Sequence, residues 1–222
     1  MPPKPKVTKD EIAAVALKII KENGITALTA RELGRKLGTS ASPIFTFFSN
    51  MDEVKLAARD IALEEFNEYT SDYEEYTPAF KRIGMMMVSY GIHEPELFKL
   101  LFMQEHQEKQ SIESSLRDLG PVADACRSLI QRDYNMTEEE ANLLFEQMWI
   151  HAYGLGSLAA MGVCDFSEEE IGRRLGVMFA GLMTLIKSGK MPQVYADVVK
   201  NPGVKFHGRE VGDIPYVLEE SK

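Results

Sequence analysis

Apolar side chains recur every three or four residues along most of the chain, and nowhere do they alternate convincingly with period two. In "KDEIAAVALKIIKENG", Ile12, Val15, Ala16, Ile19 and Ile20 fall on one helical face, and Gly24 closes the run as a C-terminal cap. A Ser or Thr followed three residues later by Glu or Asp marks a helix start, because each side chain can satisfy the other residue's backbone N–H. Such pairs occur at Thr8/Glu11, Thr29/Glu32, Ser49/Asp52, Thr137/Glu140 and Ser167/Glu170. After the first helix the spacing predicts others over about 29–37, 41–48, 50–70, 78–91, 95–106, 112–134 with a break near Pro121, 137–162 and 167–188. The expected fold class is all-α, and the stretch after Met191 reads as an irregular tail.

The joints between the first helices carry more information than their lengths. "TARELGRKLGTSASPIFTFF" reads as a helix, a tight turn at Gly38 and a second helix capped by Thr39 or Ser40, which is the helix-turn-helix layout. Pro43 is expected in the first turn of that second helix, where its missing N–H has no intrahelical partner to lose. Ile44 and Phe48 lie four apart and are expected to face a core with Leu33 and Leu37, so Phe45 and Phe47 point elsewhere.

Charge changes the picture in one place. The net charge is -9, which is wrong for a nucleic-acid binder, but it is unevenly spread. Through residue 60 there are ten Lys and Arg against seven Asp and Glu, and after it fifteen against twenty-seven, so a mildly basic head precedes a strongly acidic body. No basic residue lies in "GTSASPIFTFFSNMDEV", so phosphate contacts must come from Lys4, Lys6 and Lys9, from Arg31, Arg35 and Lys36, and from Lys55 and Arg59. Helix starts at residues 29, 40 and 50 are expected to add backbone N–H groups.

The N-terminal helix, "TARELGRKLGTS", the aromatic step ending in Phe48 and "NMDEV" at the start of a long helix together resemble the TetR (tetracycline-repressor-like) family of transcriptional regulators. The resemblance covers residues 8 to about 65 at motif level. It implies a helix-turn-helix DNA-binding head over 1–48, a linking helix over 49–70, a ligand-binding and dimerisation body over 71–190, and the tail 191–222. It also implies a homodimer on a pseudo-palindromic double-stranded DNA operator, acting as a repressor that is released or retuned when a small, mainly apolar effector enters the body. The DNA-contacting positions are then Thr29, Arg31, Thr39, Ser40, Ala41, Ser42, Pro43, Phe45, Thr46, Phe47, Asn50 and Lys55. Where the family usually has tyrosine at position 45, histidine or tyrosine at 47 and lysine at 51, this chain has Phe45, Phe47 and Met51. Those phenylalanines are left to pack on sugar edges or a thymine methyl, or to fold back into the head.

For the body the residues speak less specifically. "RIGMMMVSYGIHEPELFKLLFMQEH" and "EQMWIHAY" concentrate Met86, Tyr90, Phe98, Phe102, Met103, Met148, Trp149, His151 and Tyr153, a wall suited to a plastic apolar ligand site with few polar handles. The same stripe also fits plain core, and His106 and His151 could donate to a ligand. Gly154, Gly156, Ala159, Ala160, Gly172, Gly176, Ala180 and Gly181 cost stability inside helices unless backbones approach closely. They fit a dimer interface built from the last two long helices. No cofactor or metal is expected, since metal-ligand spacing, a nucleophile with its base and a phosphate-binding glycine loop are all missing, and the chain is not read as an enzyme. Cys126 and Cys164 read as ordinary reduced thiols. With no apolar run near the ~20 residues that span a bilayer and no apolar core in the N-terminal segment, a cytoplasmic location and no membrane partner are expected. The alternative function is a dimeric helical ligand- or partner-binding protein with a degenerate head.

Overall fold

The computed structural model describes residues 7–104, 111–117, 119–190, 205–206 and 209–210. The fold is all-α. The chain divides into two compact units, Met1–Gly176 and Val177–Lys222. The first begins with α1 (Lys9–Asn23), a 3-10 turn at Ile25–Ala27, α2 (Ala30–Lys36) and α3 (Ile44–Phe47). It continues through α4 (Met51–Tyr69), α5 (Ala79–His93), α6 (Pro95–Phe102), α7 (Ile112–Arg117), α8 (Pro121–Tyr134) and α9 (Glu138–Ala160). The last helix, α10 (Glu168–Lys187), runs from the first unit into the second. The second unit also holds a two-residue antiparallel pairing, Lys205 with Glu210 and Phe206 with Arg209, in the stretch expected to be irregular. No helix among the described residues is long and apolar enough to cross a membrane.

Local chemistry explains most of the boundaries. Thr8 and Thr137 form full capping boxes with Glu11 and Glu140. Thr29 and Ser167 accept the N–H of Glu32 and Glu170, but those carboxylates turn to Arg35 and Arg174 instead of closing the box. Ser49 is not a cap: Asn50 Oδ1 accepts the N–H groups of Asp52 and Glu53 at 2.9 and 3.0 Å, while Ser49 donates its own N–H to Glu53. An extended φ,ψ at Asn50 places its short amide over the first turn of α4, which Ser49 cannot reach. Pro121 opens α8 behind Gly120, whose φ of 59° is left-handed, so the expected break near Pro121 is a complete restart. The helix expected to reach residue 106 stops at Phe102, and His106 lies outside the described residues.

The core of the first unit runs from α1 to the start of α10. Ile12, Ile19 and Ile20 of α1 are buried with Leu33, Ile44, Phe48 and Val54. Further along, Phe66, Val88, Phe98, Ile130, Leu144 and Ile171 are buried in the helical body. Each large apolar side chain buried in this way contributes about 1.5–3 kcal/mol. Two close approaches hold α5 to α9 and α6 to α9. A Cβ on Gly91 would lie 2.6 Å from the Gly156 carbonyl oxygen, and one on Gly156 would lie 2.6 Å from the Phe98 ring. Gly156 therefore serves a close approach inside the subunit, and Ala160 is buried there too. Cys126 is buried, and burial pushes its thiol up to about 12, so it is a protonated, inert core group.

Candidate functional site

The helix-turn-helix is built around two glycines. At Gly34 a Cβ would sit 3.1 Å from Thr39 O and 3.2 Å from Ala41 N, so its absence lets the turn lie against α2. Thr39 N–H then donates to Gly34 O at 2.9 Å, and Gly38 takes the left-handed φ of 68° that the reversal needs. Pinned in this way, Ala41–Pro43 form turns instead of helix: Ile44 N–H reaches Ala41 O and Thr46 N–H reaches Pro43 O. The second helix is thus one turn long, Ile44–Phe47, not 41–48. Neither Thr39 nor Ser40 caps it; Pro43 holds the N-cap position without a side-chain bond. A helix this short contributes little dipole, so the expected N–H contribution at residue 40 is withdrawn.

Within that turn the side chains divide cleanly. Ile44 and Phe48 are buried, with Lys9 Nζ 5.3 Å from the Phe48 ring centroid. At about 100° per residue Thr46 lies nearly opposite Ile44, flanked by Phe45 and Phe47. Phe45 is 46% and Phe47 43% exposed, so neither folds back into the head. Ser42 and Thr46 are also exposed, while Ala41 and Pro43 are half-buried.

The neighbouring cations differ in availability. Arg35 binds Glu32 through two bonds of 2.6 and 2.8 Å, Lys36 binds Glu22 at 3.1 Å, and Lys55 binds Asp52 at 2.9 Å. The Arg35 guanidinium holds the Glu32 carboxyl below its usual range. Such exposed pairs are screened by water and contribute little, so a phosphate can compete for the cation. Arg31 is exposed on α2 and forms no ion pair among the described residues. Lys4 and Lys6 lie outside the described residues. Thr29 and Asn50 spend their side-chain oxygens on helix caps, which leaves the Asn50 amide nitrogen to donate. The Glu53 carboxyl is likewise lowered, chiefly by the Ser49 N–H. A lowered carboxylate adds stability above the ordinary glutamate range and loses it as pH falls through the lowered value, so acid loosens this joint between α3 and α4.

In the body, several of the expected ligand residues meet. Phe98 and Phe102 of α6 lie 4.9 Å apart, Phe98 reaches Tyr153 at 6.3 Å, and Trp149 stacks on Tyr153 at 5.2 Å. Tyr153 donates its hydroxyl to Phe102 O at 3.2 Å. Phe66 joins Phe102 to Tyr90 at 5.3 and 5.0 Å, and Tyr69 touches Tyr90 at 5.4 Å. Phe66 and Tyr69 were not among the expected residues; their signal was the apolar face of α4 continuing past the head. Met86 and Met148 are buried core, and Met103 follows the end of α6 half-buried. Tyr90 Oη, Trp149 Nε1 and His151 Nε2 are buried without a hydrogen-bond partner among the described residues. Burial, reinforced by the carboxylates of Glu65 and Glu94, pushes the Tyr90 hydroxyl far above its ordinary range, so it is a neutral donor.

A joint unforeseen in the sequence links this cluster to the head. Lys21 at the end of α1 binds Glu94 at 2.9 Å, just before α6. A Cβ on Gly24, φ 80°, would come within 2.8 Å of Glu96 Oε2 on α6. One short helix therefore carries Phe98 and Phe102 into the aromatic cluster and sets Glu96 against the end of α1.

No family model and no curated protein sequence matches the chain. Among solved structures it is similar to a protein of unknown function from Rhodococcus sp. RHA1, with TM-score 0.61 and 16% identity over 82% of this chain and 100% of that one. A transcriptional regulator from the same Rhodococcus superposes with TM-score 0.56 and 14% identity over 80% of this chain and 97% of that one. A proposed TetR-family transcriptional regulator from Vibrio parahaemolyticus gives 0.51 and 12% over 78% and 97%. The fold is TetR-like. Within this TetR-like fold the last two long helices leave apolar surface uncovered. On α9 Ile150 and Leu158 are exposed, as is Met161 just after its end, and on α10 Val177 and Met178, with Val177 at 70%. A Cβ on Gly154, Gly176 or Gly181 would meet nothing within 4 Å.

Proposed function

We propose that the chain is a ligand-responsive transcriptional repressor, binding a pseudo-palindromic operator as a homodimer and releasing it when a small, mainly apolar molecule enters the body. The observation that carries the reading is the α2–turn–α3 unit, which buries Ile44 and Phe48 and holds Ser42, Phe45, Thr46 and Phe47 outward on a TetR-like fold. Residues 1–48 act as the reading head, 49–70 as the link and 71–190 as the sensing and dimerising body. Arg31 and Lys55 bind phosphate and set position, while Ser42 and Thr46 meet base edges.

Selection of bound fragments from random DNA at low salt tests this directly, because phosphate contacts are strongest there. A palindromic motif is expected; its absence would favour the alternative of a helical binder with a degenerate head. Arg31→Ala should weaken binding to all sequences alike and reduce the slope of log affinity against log salt by about one. A sequence-dependent loss for that variant would contradict a positioning role.

The dimer is assigned to the uncovered faces of α9 and α10, where open glycines permit close backbone approach. Val177→Glu places a charge in that apolar face and should shift the protein from dimer towards monomer in sedimentation velocity. Unchanged dimerisation would move the interface elsewhere. The effector is assigned to the aromatic cluster, where the Tyr90 hydroxyl, without a partner among the described residues, offers a hydrogen bond to an acceptor. Because the head joint and the cluster share α6, a ligand that displaces Phe98 or Phe102 also bears on Glu96 and the end of α1.

A further inference from the structure

We infer that the head reads thymine methyl groups through Phe45 and Phe47, so that each operator half-site is specified by apolar contact in the major groove and not by donors to guanine. This rests on the proposed DNA-binding function and names the chemistry of its recognition surface.

Three observations converge on it. First, the outward surface of α3 is phenylalanine, threonine, phenylalanine, with Thr46 at the crest and the two rings, each a little under half exposed, on its flanks. Second, α3 and the turn before it, residues 38–47, carry no lysine, arginine, asparagine or glutamine. Bidentate recognition of guanine needs Arg or Lys, and that of adenine needs Asn or Gln, so neither is available from this surface. The chemistry left is a hydroxyl at the crest and apolar contact beside it, and the thymine C5-methyl is the apolar group that the major groove presents. Third, cations stand on either side of α3 in the chain, Arg31 on α2 and Lys55 and Arg59 on α4. An apolar ridge with cations on the helices before and after it suits a polyanion with methyl groups in its groove better than the apolar face of a protein partner, which offers Arg31 no counter-charge and gives Lys55 no reason to leave Asp52.

The test uses the full-length protein and a duplex obtained by selection from random DNA. Each thymidine of the selected site is replaced in turn by deoxyuridine, which removes the methyl and keeps every hydrogen-bonding group. We expect affinity to fall about fourfold at one or two positions per half-site, the value for losing burial of one methyl group. A 5-methyl-dC·dG pair at those positions should bind more tightly than a dC·dG pair. In Phe45→Ala and Phe47→Ala, checked for an unchanged circular dichroism spectrum, the deoxyuridine penalty should disappear at one position for each variant. Specific binding with no deoxyuridine penalty overturns the inference and leaves the regulator reading standing. A penalty that persists in both variants also overturns it, by placing the methyl contact on other residues. No selective DNA binding at all, or capture of a protein through these rings in its place, sinks the inference together with the reading on which it rests.

Discussion

Gly91→Ala is expected to destabilise the protein by about 2 kcal/mol, lowering its thermal unfolding midpoint by about 4–8 °C. The new methyl would lie 2.6 Å from the Gly156 carbonyl oxygen and 3.1 Å from its Cα, and both are backbone atoms with no rotamer to change. Helices α5 and α9 must therefore separate, and the separation propagates to Phe98, which occupies the space left by Gly156. Gly154→Ala is the matched control, two residues away on α9 with nothing within 4 Å of the added atom. It should leave the midpoint unchanged or raise it, since alanine is favoured over glycine inside a helix by up to about 1 kcal/mol. Equal losses in the two variants, read by differential scanning calorimetry, would show that the α5–α9 approach has no special role.

Phe98→Ala should cost more, about 3–5 kcal/mol, because the ring is fully buried and is contacted on several sides. It fills the gap over Gly156 and lies against Phe102 and Tyr153, so its removal leaves a cavity that a neighbouring backbone cannot close. An empty apolar cavity of this kind takes up small aromatic molecules. Benzene or indole should accordingly recover part of the lost stability of the variant while leaving the parent protein unaffected. A loss below about 1 kcal/mol would mean that the cluster collapses freely and that its packing is not tight.

The parts of the fold that were legible in the sequence are those decided locally. Thr8, Thr29, Thr137 and Ser167 cap where spacing placed them, and the apolar face of α1 follows from periodicity alone. The all-α class and the inward pair Ile44 and Phe48 also follow from local pattern. What spacing could not supply was the competition between neighbours. Glu32 could turn to the Thr29 N–H or to Arg35, and it binds Arg35. Asn50 displaces Ser49 as the cap because of backbone angles that a motif does not encode. The length of α3 depended on Gly34, a residue that reads as a weak spot in a helix until the turn is seen lying against it. Gly156 shows the same effect in the body: a small residue predicts that something comes close, without saying whether it is another subunit or Phe98.

The candidate site divides along the same line. Helical spacing took Phe45 and Phe47 off the Ile44 and Phe48 face but left open that they fold back, which their exposure decides, and the clustering of Phe98, Phe102, Trp149 and Tyr153 followed from their density on two helices. Phe66 and Tyr69 came from a helix assigned to another task, and the Lys21–Glu94 contact joins residues far apart in sequence. Long-range pairings of this kind leave no local pattern.

Trp149 is the single tryptophan in the chain, and it stacks on Tyr153 at the edge of the aromatic cluster with its indole N–H buried and without a hydrogen-bond partner among the described residues. The protein thus contains its own optical probe of that cluster. Its emission should be blue-shifted in the folded state, and a molecule that donates to or accepts from the cluster, or parts the two rings, will register as a change in intensity or wavelength without any label being attached.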